Sequence, residues 1–413
     1  MAQREVLISG ASVAGPALAY WLRRYGFRPT IVERAPALRS GGQAIDLRGT
    51  ARTVVERMGL LEDIRQAHTG TRGMSVVNSA GKRLASMTSD LMDGSGGLIA
   101  DIEILRGDLV RILYEATRDE TEYIFDDSIT SIAQDGAGVQ VTFERGAPRR
   151  FDVVIGADGL HSNVRRLAFG EESRFTQDMG CYVAIFETAN VFDLDGWELF
   201  YNMPGSRRAP GKSVGVYPIR QNRDVSAMFY FSTPQLAIDR HDVARQKQLL
   251  ARTYAGEGWE VPRLLDAMGS AQNFYFDRVA MARMDRWANG RVALLGDAAY
   301  CPSPLSGMGT SLALVGAYVL AGELATGGDD YAAAGASYQR QMSEAVAHAQ
   351  KFARSAHHFL LPTSRTFLRI NSLAMRLMPH LPKSWVSSGV EKAANAVTLK
   401  DYAGAASATP IAL

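Results

Sequence analysis

Three stretches of the chain set small residues, a carboxylate and a hydroxyl where an apolar run gives way to a helical one. The first is Gly10-Ala11-Ser12-Val13-Ala14-Gly15, after the run 4–9. Gly10 permits a tight turn, position 12 lets the backbone approach a pyrophosphate, and Gly15 lets a helix pack on its strand. The N–H groups at Val13 and Ala14 and the helix dipole would then favour phosphate. Glu33 lies 18 residues beyond Gly15 and is placed to accept hydrogen bonds from a ribose. Ser12 stands where this fingerprint has its second glycine, and its hydroxyl can donate to phosphate. The second stretch is Asp158-Gly159-Leu160-His161-Ser162-Asn163-Val164-Arg165, directly after 151–157 (FDVVIGA). It sets a carboxylate, a backbone N–H and a guanidinium near one point; a strand-to-helix corner with a capping Asp is the plainer alternative. The third runs from Gly296 to Ser311 (GDAAYCPSPLSGMGTS). Asp297 can bind a polyol, and the Pro/Gly-rich loop exposes N–H groups at a helix N-terminus, a place for negative charge on a ligand.

Other arrangements point nowhere special. His161 and Ser162 beside Asp158 are adjacent in sequence and are not expected to aim at one another as a triad does. His357 and His358 face different directions of one helix and lack partners at metal spacing, so no metal site is expected. Cys181 and Cys301 are the only cysteines, too few for a disulfide framework or a four-cysteine zinc site.

The elements that must position these stretches follow from hydrophobic periodicity. Residues 4–9, 16–26 and 29–33 read as a βαβ opening, with Gly26 closing the helix. Helices are expected over 50–67 and 107–117, a strand over 74–78, and a hairpin over 128–133 and 138–143 around Asp135-Gly136. Residues 151–156 and 291–296 read as buried strands, the latter leading to a helix over 306–326. Between them, 181–188, 196–203, 213–219 and 225–232 are aromatic and β-branched runs, expected to form an antiparallel sheet, followed by a helix over 243–255. The chain to about 395 is mostly helical, and the small polar tail 403–413 is expected to be disordered. The fold class is therefore α/β (α+β).

Composition narrows the function. At 413 residues, about 150 per domain gives two or three domains or subdomains. Lys plus Arg is 45 against 43 for Asp plus Glu, which offers no general footprint for nucleic acid. The most apolar helical run, Leu312–Ala325, contains Glu323 and is too short to span a bilayer. The first residues lack the pattern of a secretory signal, so the expected location is cytoplasmic.

Taken in order, the three stretches resemble the FAD-dependent aromatic hydroxylases, the group A flavin monooxygenases of the p-hydroxybenzoate hydroxylase type. That family reads GxGxxG, then DGxxSxxR, then GDAAHxxxPxxGxGxN. The resemblance covers about residues 4–350. The segment Gly42-Gln43-Ala44-Ile45-Asp46-Leu47-Arg48, the chain length and the lack of an extra C-terminal domain look most like the tetracycline-inactivating monooxygenases and actinobacterial polyketide-tailoring enzymes. The resemblance implies a Rossmann-like FAD-binding domain (1–72, 100–172 and 280–350), an inserted antiparallel-sheet substrate domain (73–99 and 173–279), and a C-terminal helical segment and tail (351–413).

It also implies site roles. Gly10, Ser12, Val13, Ala14 and Gly15 would hold the FAD pyrophosphate, and Glu33 and Arg34 the adenosine end. Asp46 and Arg106 would contact FAD. Asp158 would sit near the pyrophosphate, and Asp297 would bind the ribityl or pyrophosphate part. Pro304, Gly307 and Gly309 would line the isoalloxazine, with the helix from Thr310 aimed at it. Candidate substrate residues are Leu305, Tyr182, Tyr217, Phe229 and Met375, with Leu377 and Met378 beside the last. No side chain is expected to act as a catalytic group, because the flavin carries the chemistry. The implied activity is hydroxylation or oxygenation of a bulky aromatic or polyketide-like small molecule by molecular oxygen, with NADPH or NADH as co-substrate, through a flavin C4a-hydroperoxide. Two departures, Tyr300 for the family's His and Ser311 for its Asn, keep two other readings open: an FAD-containing non-redox cyclase and a non-catalytic ligand-binding flavoprotein.

Overall fold

The order of small and apolar residues produces two sheets with different surroundings. The structure, a computed structural model, describes residues 3–39, 41–88, 102–192, 194–205, 211–377 and 388–405. Met378, residues 89–99 of the expected substrate domain and 406–413 of the tail lie outside the described residues.

The chain opens with β1 (Glu5–Ser9), α1 (Ala14–Arg24) and β2 (Arg28–Glu33). Pro16 lies in the first turn of α1, where its missing N–H costs nothing, and Arg23 and Arg24 complement the negative end of the helix dipole. Next come β3 (Ala44–Asp46), α2 (Thr50–Arg57) and α3 (Leu61–Gln66). The single helix expected over 50–67 is two, because Gly59 takes a φ of +74° between them. The hairpin β4 (Gly73–Val77) and β5 (Arg83–Thr88) precedes β6 (Glu103–Leu105), α4 (Arg106–Glu115) and β7 (Glu122–Phe125). The expected hairpin is β8 (Ile129–Gln134) and β9 (Val139–Phe143), widened to three strands by β10 (Arg149–Phe151). Then follow β11 (Val153–Gly156) and α5 (Asn163–Ala168).

The inserted region holds β12 (Thr176–Ala189), β13 (Trp197–Met203), β14 (Lys212–Ile219), β15 (Asp224–Ser232), α6 (Val243–Thr253), α7 (Val261–Ser270) and β16 (Phe274–Ala282). The chain returns through β17 (Ala288–Asn289), β18 (Val292–Leu294), α8 (Asp297–Tyr300) and α9 (Gly309–Thr326), and closes with α10 (Tyr331–Leu360), α11 (Arg365–Leu377) and α12 (Ser388–Asn395).

The first sheet runs β17-β18-β11-β1-β2-β7 and is parallel except for β17. Its central strands are buried on both faces, as their unbroken apolar runs demand. Helix α9 passes by length and composition as a membrane span, but 78% of it is buried in this core. The second sheet runs β16-β12-β15-β14-β13-β4-β5. It is antiparallel except where β13 pairs in parallel with β4. One face packs under α6 and α7 through Phe186, Phe229, Leu250, Tyr254 and Leu264. The other face, with Val183, Tyr230 and Val279, packs on Leu305 and on Ala353 of α10.

Candidate active site

The three parallel strands β1, β11 and β18 are neighbours, and each ends where one of the three glycine-centred stretches begins. Ligands of open α/β sheets bind outside such carboxyl ends. At the first turn Gly10 has φ +109°, and a Cβ there would lie 2.5 Å from the Ala157 oxygen. A Cβ on Gly15 would lie 2.0 Å from the Gly10 oxygen. The two glycines therefore let the turn, its helix and β11 touch. Ser12 is exposed at the tip, and α1 begins without a side-chain cap or an acid in its first turn. Its positive end stays open to an anion. Glu33 accepts from the Ala11 N–H and the Ala35 N–H, both at 2.9 Å, and Arg34 is exposed beside it.

The second stretch is braced by its own polar groups. Asp158 accepts from the Ser162 hydroxyl (2.5 Å) and from the N–H groups of Asn163 (2.9 Å) and Val164 (3.1 Å). Burial raises its carboxyl above the usual range, and these donors oppose the rise. Ser162 caps α5 by accepting from the Arg165 N–H. Arg165 is fully buried and donates to the oxygens of Ala298 (2.9 Å) and Leu160 (2.5 Å), which locks this turn to α8 of the third stretch.

His161 forms no triad. Its Nε2 faces Asp277 (2.9 Å) and its Nδ1 faces Glu172 (3.0 Å). The hydrogen bonds to Asp277 and then Glu172 push its pKa up to about 9. The imidazolium thus fastens the turn to β16. A raised folded-state pKa stabilises fully below the unfolded value near 6.5 and loses that contribution as pH rises through about 9. A His161→Gln protein should therefore melt below the parent at pH 6, and the two melting curves should converge above pH 9. Curves that stay parallel from pH 6 to 10 would remove the charged histidine from this role.

In the third stretch Asp297 opens α8, and Gly309 opens α9 with no acid in its first turn. Asp297 and Tyr275 are both exposed, yet protein surrounds them closely enough for burial to raise both pKa values, as happens for groups lining a cleft. The Arg106 guanidinium interacts electrostatically with both. Burial, then the neighbouring Arg39, lowers the Arg106 pKa. Gly42 lies against Arg106, where a Cβ would approach the guanidinium to 3.0 Å. Pro304 and Gly307 are exposed, and Gly307 takes φ +60° with its Cβ position 3.4 Å from Asp46.

The two departures are committed to the protein. Tyr300 is 1% exposed, bonds the Tyr338 hydroxyl at 2.9 Å and packs 4.5 Å from Trp287. The Ser311 hydroxyl donates to the Asp46 oxygen and accepts from the Arg48 N–H, both at 3.1 Å. Arg48 in turn pairs with Asp46 at 2.6 Å. Nearby, Glu103 has its pKa pushed up to about 7 by burial and then by Asp46, and Glu198 is raised by burial and then by Glu103.

The substrate candidates divide. Tyr217 is buried on the face toward β3 and accepts from the Ala44 N–H at 3.0 Å. Leu305 is buried against that same face of the sheet. Tyr182 and Phe229 are on the opposite face: Tyr182 stacks on Phe231 and Phe276, and Phe229 on Phe186, under α6 and α7. Strand alternation separates the two sets, and the sequence left open which set faced the cleft. Met375 is buried against Val76, Ala85 and Met87 around β5, while Leu377 is exposed. Sequence reasoning missed Tyr275, Arg48, Glu103 and Glu198. Tyr275, Glu103 and Glu198 act with groups distant in sequence and carry no local motif, whereas Arg48 stood in the segment 42–48 without a role although its partner Asp46 is two residues away.

A doubly wound sheet with a capless helix end, an acid at the second strand and a braced glycine loop defines a dinucleotide-binding flavoprotein. The FAD binding domain family matches residues 3–353, and the chain belongs to it. An uncharacterised protein of Mycobacterium tuberculosis (strain CDC 1551 / Oshkosh) is 50% identical over 338 residues, 82% of this chain and 89% of its own. A flavin-dependent monooxygenase of Legionella longbeachae is 39% identical over 350 residues, covering 84% and 87%. The crystal structure of the tetracycline destructase Tet(51) superposes with a TM-score of 0.80 at 32% identity, covering 97% of this chain and 99% of that one. The protein is an oxidoreductase, a flavin-dependent monooxygenase of the group A hydroxylase type.

Proposed function

We propose that this enzyme uses NADPH or NADH to hydroxylate a bulky aromatic or polyketide-like small molecule with molecular oxygen in the cytoplasm. One observation carries the reading: the Arg106 guanidinium interacts electrostatically with both Asp297 and Tyr275, and Asp297 opens α8 just beyond the carboxyl end of β18, beside the parallel strands β11 and β1. The similarity to a tetracycline destructase supports the substrate class.

The residues fit FAD. Gly10, Ser12, Val13, Ala14 and Gly15 form a turn at the uncapped start of α1 that would cradle the pyrophosphate, with Gly10 and Gly15 leaving no room for a Cβ against the neighbouring backbone. Glu33 and Arg34 would take the adenosine end, and Arg106 and Asp297 the phosphate and ribityl part. Asp158 already receives four protein donors, the Ser9 hydroxyl among them, and would fix the turn beside them. Asp46, held by Ser311 and Arg48, with Pro304, Gly307, Gly309 and Thr310, would border the isoalloxazine. When bound, the flavin supplies electron transfer and oxygen activation. The protein's part is to orient both reactants and to set the positive end of α9 beside developing negative charge. On this reading 1–72, 100–172 and 280–350 serve the cofactor, 73–99 and 173–279 the substrate, and 351–413 closes the molecule.

Purified protein should be yellow. It should consume NADPH and oxygen together when a phenolic polyketide such as tetracycline is added, yielding a product with one added oxygen atom. Protein that neither contains nor takes up flavin, or turnover that needs neither nicotinamide nor oxygen, would defeat the proposal.

Gly309 gives a finer test. A Cβ there would sit 3.6 Å from Asp297, an ordinary contact, so the protein itself accommodates the change. Gly309→Val should fold normally but hold the flavin ring away from the end of α9. That removes an anion-stabilising effect of about 0.3–2 kcal/mol, lowers the flavin potential and slows reduction by NADPH. A folded, FAD-loaded variant with unchanged potential and reduction rate would show that this loop does not border the ring.

A further inference from the structure

We propose that α11 docks the protein on an anionic lipid surface through the face that carries Ile370, Leu373 and Leu377. Six large apolar side chains are exposed among the described residues, and these three are half of them, at 59%, 57% and 51%. Spaced i, i+3 and i+7, they form one stripe along the helix. Met375, 2% exposed, points the opposite way into the contact with β5. The helix is therefore apolar on two opposite faces, and only one is covered. A stripe of this kind, rimmed by polar residues, marks an interaction surface.

Charge selects the occupant. Arg365, Arg369 and Arg376 are exposed and share a line beside the stripe. Helix α11 has no acidic residue, and none occurs between Glu344 and Glu391, a span that also contains Lys351, Arg354 and Lys383. Aliphatic side chains flanked by arginines fit the boundary between acyl chains and negative headgroups. A second copy meeting the same face about a two-fold axis would bring arginines together. Nucleic acid would answer the arginines and leave the aliphatic stripe in water. The helix would lie in the interface and not cross it, leaving the rest of the fold in water. The inference does not depend on the flavin or on the substrate class.

The test uses the full-length, FAD-loaded protein and vesicles of phosphatidylcholine with or without phosphatidylglycerol, read by co-sedimentation. Binding should rise with the phosphatidylglycerol fraction and weaken as salt is added. The double variant Arg365→Glu/Arg369→Glu should lose about 25-fold or more, at about fivefold per cation removed. Arg376 is left intact because its Nε donates to the Leu84 oxygen at 2.5 Å. The triple variant Ile370→Ser/Leu373→Ser/Leu377→Ser should lose about tenfold or more, with flavin content and melting temperature unchanged because these side chains are exposed. No binding, equal binding to both vesicle types, or binding untouched by either variant would overturn the proposal. So would a concentration-dependent dimer that the serine variant abolishes, which would assign the face to a second copy.

Discussion

Gly15→Val is expected to yield protein that either fails to fold or purifies without flavin. The added Cβ would meet the Gly10 oxygen at 2.0 Å and the Ile8 Cγ2 at 3.4 Å. Gly10 cannot withdraw, since its N–H donates to the Val32 oxygen at 2.8 Å and its Cα side abuts Ala157. Relief must come from α1 swinging off β1, which dismantles the cradle at its helix end. The collision is with the Cβ itself, so Gly15→Ala should already lower flavin retention, and valine adds branching to the same clash. The ratio of flavin to protein absorbance in soluble protein measures this directly. Soluble Gly15→Val with a full complement of FAD would put the phosphate turn elsewhere.

Arg165→Met should produce the largest loss of stability among changes that leave every backbone turn intact. The guanidinium is wholly buried, and its donors satisfy the oxygens of Ala298 and Leu160. Methionine donates nothing, so the buried Ala298 oxygen and the half-buried Leu160 oxygen lose their partner. The buried oxygen alone costs about 1–3 kcal/mol, and the half-buried one adds less because water can reach it. The arginine joins the second stretch to the third, so flavin affinity should fall together with the melting temperature. Arg165→Lys keeps the charge but loses the planar fork, and should recover only part of the loss. Calorimetry of the three proteins tests the order. A methionine variant as stable as the parent would show that water replaces the guanidinium without cost.

What the sequence made legible was local. The βαβ opening could be read because a strand, a glycine turn, a helix and Glu33 follow one another within 33 residues, and backbone geometry leaves few alternatives. Asp158 and Asp297 were legible as strand-end carboxylates. The cap of α5 was read less well: the sequence offered a capping Asp at this corner, and the structure gives the cap to Ser162, which accepts from the Arg165 N–H. Illegible features depend on pairs far apart in the chain. Ser311 holds Asp46 and Arg48 across more than 260 residues, and no pattern in either segment announces the other. The strand runs containing Tyr182 and Phe229 showed alternation but not which face would meet α6 and α7. That choice belongs to tertiary packing. The family resemblance grouped 73–99 with the inserted sheet, but the residues themselves did not show that β4 pairs in parallel with β13, since a parallel pairing leaves no turn signal.

The interleaved order of the two sheets constrains how the chain reaches this state during synthesis. Strand β11 pairs β1 on one side and β18 on the other, with Val154 opposite Val292. All seven strands' worth of the second sheet except β4 and β5 is made between those two events. The entropy of closing so long a loop grows only logarithmically, so the finished fold is little penalised. The rate is another matter, because distant contacts must be found before they reward the search. A nascent chain that has emerged as far as Gly156 carries an unpaired apolar edge at Val153–Gly156 until residue 292 is free to dock. Arrested or truncated chains should therefore be captured by chaperones or aggregate through that edge, and the third glycine-centred stretch joins the other two only after β18 docks.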